Sequence, residues 1–100
     1  MLDIAIYHTQ QCAEKSLKAY LSLQECTIDR THNLDLLVMQ CLPFNPRFAD
    51  IREELLFLMP FATAYRYPEG DLLPSRDKTA EALKMARRVY TFILDVMEQG

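Results

Sequence analysis

From Leu2 to about residue 25 the chain holds neither Gly nor Pro, and its polar and apolar positions separate on a helical wheel drawn at about 100° per residue. Leu2, Ile6, Ala13, Leu17 and Tyr20 share one arc with Ala5, Thr9, Cys12 and Ser16. Gln10, Gln11, Glu14, Lys15, Lys18 and His8 lie on the other, which predicts a long amphipathic helix of about 35 Å. The loop Cys26 to Arg30 follows. Thr31 and Asn33 then stand as cap formers before the run Leu34, Leu36, Leu37, Val38, Met39, so a short second helix is expected, ending before Pro43.

Pro43 and Pro46 break the chain, because each removes a donor and biases its predecessor away from the α region. A third helix is expected from Pro46 or Arg47, carrying Phe48, Ile51, Leu55, Leu58 and Met59 at three-and-four spacing, with Pro60 ending it near Met59. Ala64 to Pro74 holds two Pro and one of only 2 Gly residues, and reads as an ordered connector. Ser75 is a good cap and Asp77 suits the first turn of a final helix through about Glu98. Its apolar face is Ala82, Met85, Ala86, Val89, Ile93, Val96 and Met97. Arg76, Asp77, Lys84, Arg87, Arg88, Thr91 and Asp95 face the other way.

Composition agrees with this pattern. In 100 residues, 50% are hydrophobic and 25% charged, too apolar for a disordered chain, and the scarcity of Gly argues for an all-α fold. One domain covering residues 1–100 is expected, an up-and-down bundle of about four helices. It should bury roughly two-thirds of its unfolded surface. The formal net charge of -3 has the wrong sign for coating DNA by general electrostatics, which leaves only a local basic patch for an anionic partner. Cys12, Cys26 and Cys41 are an odd number without zinc spacing, and read as free thiols of a reducing cytoplasm. No apolar stretch approaches the roughly 20 residues of a membrane span.

Candidate chemistry is sparse. His8 and His32 are the only imidazoles, neither lies in a known nucleophile motif, and neither follows a Glu at the spacing of a helical-bundle metal site. No catalytic residue, cofactor or metal ligand is therefore assigned. What remains is a stripe on the first helix, His8, Gln11, Lys15 and Lys18, spaced to line one edge and able to hold a phosphate or a base. The same residues also fit a solvated face with a Glu14 to Lys18 pair. Tyr65, Arg66 and Tyr67 in the connector offer a guanidinium for phosphate and rings for a base, or equally a structural clamp over the core. The basic residues of the last helix, interleaved with Asp77, Glu81 and Asp95, read as a solvated face or a functional patch.

Three stretches together, Tyr7 to Leu21 (YHTQQCAEKSLKAYL), Arg30 to Leu34 (RTHNL) and Ala64 to Pro68 (AYRYP), resemble the HEPN domain family of small prokaryotic helical proteins. The resemblance implies a helical bundle, frequent homodimers, and frequent pairing with a minimal nucleotidyltransferase in toxin-antitoxin-like modules. It also implies ribonuclease activity or nucleotide binding in many members. Two departures bear on this. Ribonuclease branches use an Arg, four to six intervening residues and a His, and neither His8 nor His32 has an Arg at that spacing. Family members also usually carry a helix ahead of the one bearing His8 and Gln11. Its absence here would leave an apolar groove, with Ile4 and Tyr7 beyond the main face, for a partner to cover.

The expectation is thus a non-catalytic HEPN-type module that binds a nucleotide or nucleic-acid phosphate at His8, Gln11, Lys15 and Arg66, with Lys18, Tyr65 and Tyr67 beside them. It would act as a homodimer or higher oligomer with a nucleotidyltransferase. The alternatives are a metal-independent ribonuclease of non-standard site using His8 or His32, and a purely structural dimerisation subunit.

Overall fold

Capping and breaking residues decide where each helix stops, and the computed structural model describes the outcome for residues 1–65 and 73–99. The Gly- and Pro-free stretch forms α1, Leu2–Leu23. It closes at Gln24, whose N–H donates to the Tyr20 and Leu21 carbonyls, and the chain then turns at Glu25 with φ 57°. Gly adopts that left-handed conformation freely, whereas a residue with a Cβ does so at a cost of roughly 1–2 kcal/mol. Asn33 opens α2, Leu34–Cys41, its Oδ1 accepting from the N–H groups of Asp35 at 2.9 Å and Leu36 at 3.1 Å. Thr31 braces that cap instead of forming it: its Oγ1 accepts from the Asn33 N–H at 3.0 Å.

The single third helix expected from Pro46 to Met59 is in fact three pieces: a 3₁₀ turn at Pro46–Ile51, helix α3 at Arg52–Leu58, and a second 3₁₀ turn at Met59–Ala62 that contains Pro60. The reason lies at the start. Asn45 Oδ1 accepts from the Arg47 N–H, and the Phe48 N–H goes to the Asn45 carbonyl three residues back. Tight winding then places Phe48 and Ile51, three apart, on one side, where both are buried. The last helix, α4, is Arg76–Glu98, with Ser75 Oγ accepting from the Lys78 N–H at 3.0 Å. Among the described residues these four α-helices are accompanied by no strand.

Side-chain pairs fix how the helices run. Arg47, ahead of α3, reaches Gln99 and Asp95 at the end of α4 at 2.7 and 3.3 Å, while Lys78 at the start of α4 lies over the Phe61 ring at 5.8 Å. So α3 and its flanking turns run antiparallel to α4. Ala5 and Cys12 line one depression with Leu83 and Tyr90, and Ala19 lines another with Leu94 and Met97, so α1 and α4 lie side by side in the same direction. The core forms between this pair and the α2–α3 block. At one end Phe48, fully buried, sits 4.6 Å from the Tyr20 ring and 5.1 Å from that of Phe92, joining α1 to α4. All three cysteines are free; burial, with Cys26 adding to it, pushes the Cys41 thiol up to about 12, so that group is unreactive. No helix of the described residues is long and apolar enough to cross a membrane.

Two substitutions check this account. Phe48→Ala is expected to cost about 3–5 kcal/mol, a large part of the stability of a domain this size, read as a lower urea midpoint. Glu25→Gly is expected to stabilise by about 0.5–1 kcal/mol, since relief of the left-handed strain exceeds the added chain entropy, and to raise Tm by several degrees.

Candidate functional site

Gln10 and Glu14 belong to the polar arc of α1 by periodicity, yet the structure buries both, at 0% and 1% exposure. The correction has a physical cause. Between α1 and α2 the chain climbs back along α1, and residue 32 arrives beside the middle of that helix, so a strip of α1 that a wheel assigns to solvent is covered by the loop. The covered groups satisfy one another. Glu14 Oε1 lies 2.8 Å from His32 Nδ1 and accepts from Gln10 Nε2 at 3.2 Å and from Gln11 Nε2 at 3.5 Å; Glu14 Oε2 accepts from Lys18 Nζ at 3.0 Å. Gln10 Nε2 also donates to the His32 main-chain carbonyl at 3.1 Å, and Gln10 Oε1 accepts from Gln11 Nε2 at 2.7 Å.

The protonation of this cluster follows. Burial alone pushes the Glu14 carboxyl up, but hydrogen bonds from His32, Lys18 and Gln10, with the charge of Lys18, outweigh it and hold the group below the ordinary carboxylate range. Glu14 is therefore ionised at neutral pH and can only accept. His32 Nδ1 must carry the hydrogen, and because the His32 side chain is 69% exposed, the opposite ring nitrogen, Nε2, is left to solvent. A buried carboxylate that orients an exposed imidazole through Nδ1 is the arrangement from which acid-base chemistry is built.

The stripe expected on α1 divides. Gln11 and Lys18 turn to Glu14, whereas His8 and Lys15 stay exposed and line separate depressions that share Tyr90 of α4. The one at His8 has a volume of about 560 Å³, with Cys12 on its α1 side and Lys84, Arg87, Leu83 and Tyr90 on its α4 side. Among the described residues neither Lys84 nor Arg87 is in an ion pair, unlike Arg47 with Asp95 and Arg52 with Asp35. Tyr65 is half-buried and stacks on Phe61 with ring centroids 6.2 Å apart. Arg66 and Tyr67 lie outside the described residues. Among the described residues no group of three or more His, Cys, Asp or Glu side chains is placed to hold a metal ion.

Periodicity missed the pairing of His32 with Glu14 because the partners are 18 residues apart. The signal that could have found it is Gln10, Glu14 and Lys18 at successive i,i+4 positions, a row that can share one buried partner as readily as face water.

An all-α bundle whose long first helix carries a buried polar cluster, closed by a His from the following loop, is the class of protein that fold and site define. The HEPN domain model matches residues 1–96, and the chain belongs to the HEPN domain family. No curated protein and no solved structure matches it.

Acid is expected to weaken the fold through Glu14. The unfolded chain takes up the proton near the ordinary value of 4.5, whereas the folded chain resists it, so this contribution is complete above that pH and is lost as pH falls through the lowered folded value. Urea midpoints measured from pH 7 to pH 3 should fall less steeply in Glu14→Gln than in the wild type. At pH 7 that variant should be less stable by about 1–3 kcal/mol.

Proposed function

We propose that this HEPN domain binds a nucleotide or a nucleic-acid phosphate in the groove between α1 and α4, at His8, Lys84, Arg87 and Tyr90. The observation that carries this reading is a depression in which an imidazole, an ammonium and a guanidinium surround a largely apolar floor closed by a phenol ring. Lys84 and Arg87, without ion pairs among the described residues, are available for phosphate oxygens. Tyr90, about half exposed, offers a face to a base, and His8 supplies a directional hydrogen bond. Lys15 extends the cationic edge along α1, and Arg66 and Tyr67 remain part of the proposal through the connector's sequence. With a net charge of -3, attraction is local, so binding should weaken with salt only as one or two phosphate contacts require.

Homodimerisation is supported by its own observation. Farther along the bundle from the ligand groove, Leu94 is an exposed large side chain of α4 beside the small residues Ser16 and Ala19 of α1. A ridge and a trough on the same face are complementary to a second copy of themselves. Partnership with a minimal nucleotidyltransferase in a toxin-antitoxin-like module completes the proposal and draws on the family alone; co-purification with the product of an adjacent reading frame is its test.

Titration calorimetry with ATP, AMP and a short RNA oligonucleotide is expected to give binding that Lys84→Ala and Arg87→Ala each weaken about tenfold or more, the worth of a charge-assisted hydrogen bond. Absence of heat from all three ligands, or binding indifferent to both substitutions, overturns the ligand reading. For the dimer, light scattering should give twice the monomer mass for the wild type at micromolar concentration and the monomer mass for Leu94→Glu; a monomeric wild type removes it.

A further inference from the structure

We propose that the end of the bundle where α1 and α4 finish together binds a small alkylammonium ion, such as a polyamine, in a cavity of about 440 Å³. This site is separate from the groove at His8 and has the opposite charge preference. Its first feature is Tyr20. The residue is only 5% exposed and lines the cavity, its ring rests on Phe48, and its hydroxyl makes no hydrogen bond to any described residue. Among the described residues the side-chain atom that is both sealed from the surface and unpartnered is Gln40 Oε1, so the Tyr20 oxygen opens to the cavity. A buried phenol ordinarily finds a partner, and here the space for one is the cavity itself. Burial pushes the Tyr20 hydroxyl up, so it is neutral at physiological pH and its oxygen can accept from an ammonium.

The second feature is the sign of the charge the site is built to meet. Because α1 and α4 run in the same direction, their C-terminal ends lie together, and each such end carries about half a negative charge on its unpaired carbonyls. Neither helix has a basic residue in its last turn to offset this. At α1 the Leu23 and Gln24 carbonyls accept from no N–H among the described residues. Arg47 serves only the α4 side, with its guanidinium on Gln99 Oε1, Asp95 Oδ2 and the Phe92 ring, and it does not line the cavity. Exposed Glu25 and Glu98, next in sequence to lining residues, add negative charge nearby. The third feature is the wall. Phe44, held against the end of α2 by its N–H to the Cys41 carbonyl at 3.0 Å, keeps nearly half of its surface in water and offers a ring face to a cation. Leu23, Val96 and Met97 give methylene groups an apolar surface to lie on. An ammonium on an alkyl stem meets all three features. A phosphate or carboxylate would find no cationic side chain in the lining and the repelling ends of two helices.

The test is calorimetric titration of the full chain with spermidine at constant ionic strength, with hexanediol as an uncharged alkyl control and backbone-amide NMR shifts to locate the site. Spermidine should bind and move the amides of Leu23, Gln24, Asn45 and Gln99, while hexanediol gives no response. Tyr20→Phe keeps the ring on Phe48 and removes only the oxygen; it should weaken spermidine binding about tenfold, the worth of a hydrogen bond to a charged group. Gln24→Lys, at an exposed position on the end of α1, supplies a tethered ammonium, so it should raise Tm and abolish spermidine binding. The site is overturned by absence of binding, by amide shifts confined to other parts of the chain, or by an equal response to hexanediol. Binding indifferent to either substitution, as attraction to net charge alone would give, overturns it too.

Discussion

A carboxylate removed from water must be surrounded by donors, and the burial of Glu14 is the constraint around which the first half of this molecule is arranged. Its two oxygens draw on three residues of α1 itself, Gln10, Gln11 and Lys18, and on one residue from elsewhere in the chain, His32. That last partner is what converts a helix-surface network into a tertiary one. Because His32 stands just before the Asn33 cap, fixing it beside the middle of α1 also fixes where α2 begins and the direction in which it packs. Removing one partner of such a network typically costs about 1–3 kcal/mol, whereas replacing the whole of it with apolar side chains can be neutral. What the network chiefly supplies is therefore position, more than stability.

The second half is organised by packing. Phe48 links Tyr20 on α1 with Phe92 on α4, at the end where Arg47 ties the α3 block to Asp95 and Gln99. Parallel alignment of α1 and α4 follows from having an odd number of full-length passes between them: α3 with its turns returns the chain once. This alignment places small residues of one helix against large residues of the other along a continuous face, and the groove at His8 and Tyr90 is the result.

Legibility in the sequence followed the range of the interaction. The ends at Asn33 and Ser75 were readable because their causes are local: each bonds to an N–H two or three residues on. The four-helix bundle followed from periodicity for the same reason. The winding of residues 46–51 was not readable, because a spacing of three serves either kind of helix until the buried partners of Phe48 and Ile51 are known. Glu14 was misplaced for a related reason. Gln10, Glu14 and Lys18 read as a solvated row, and only the return path of the loop, which no local pattern encodes, decides that two of the three are buried. Lys84 and Arg87 read as part of a solvated face or a functional patch; their distinction, that no ion pair reaches them among the described residues, is a matter of three-dimensional placement.

The bond from Gln10 to the main-chain carbonyl of residue 32 separates two things that proteins often bind together. A loop held by its backbone keeps its course whatever side chain it carries there. At position 32 the backbone bond to Gln10 would therefore survive a change of side chain, while the ring's bond to Glu14 would not.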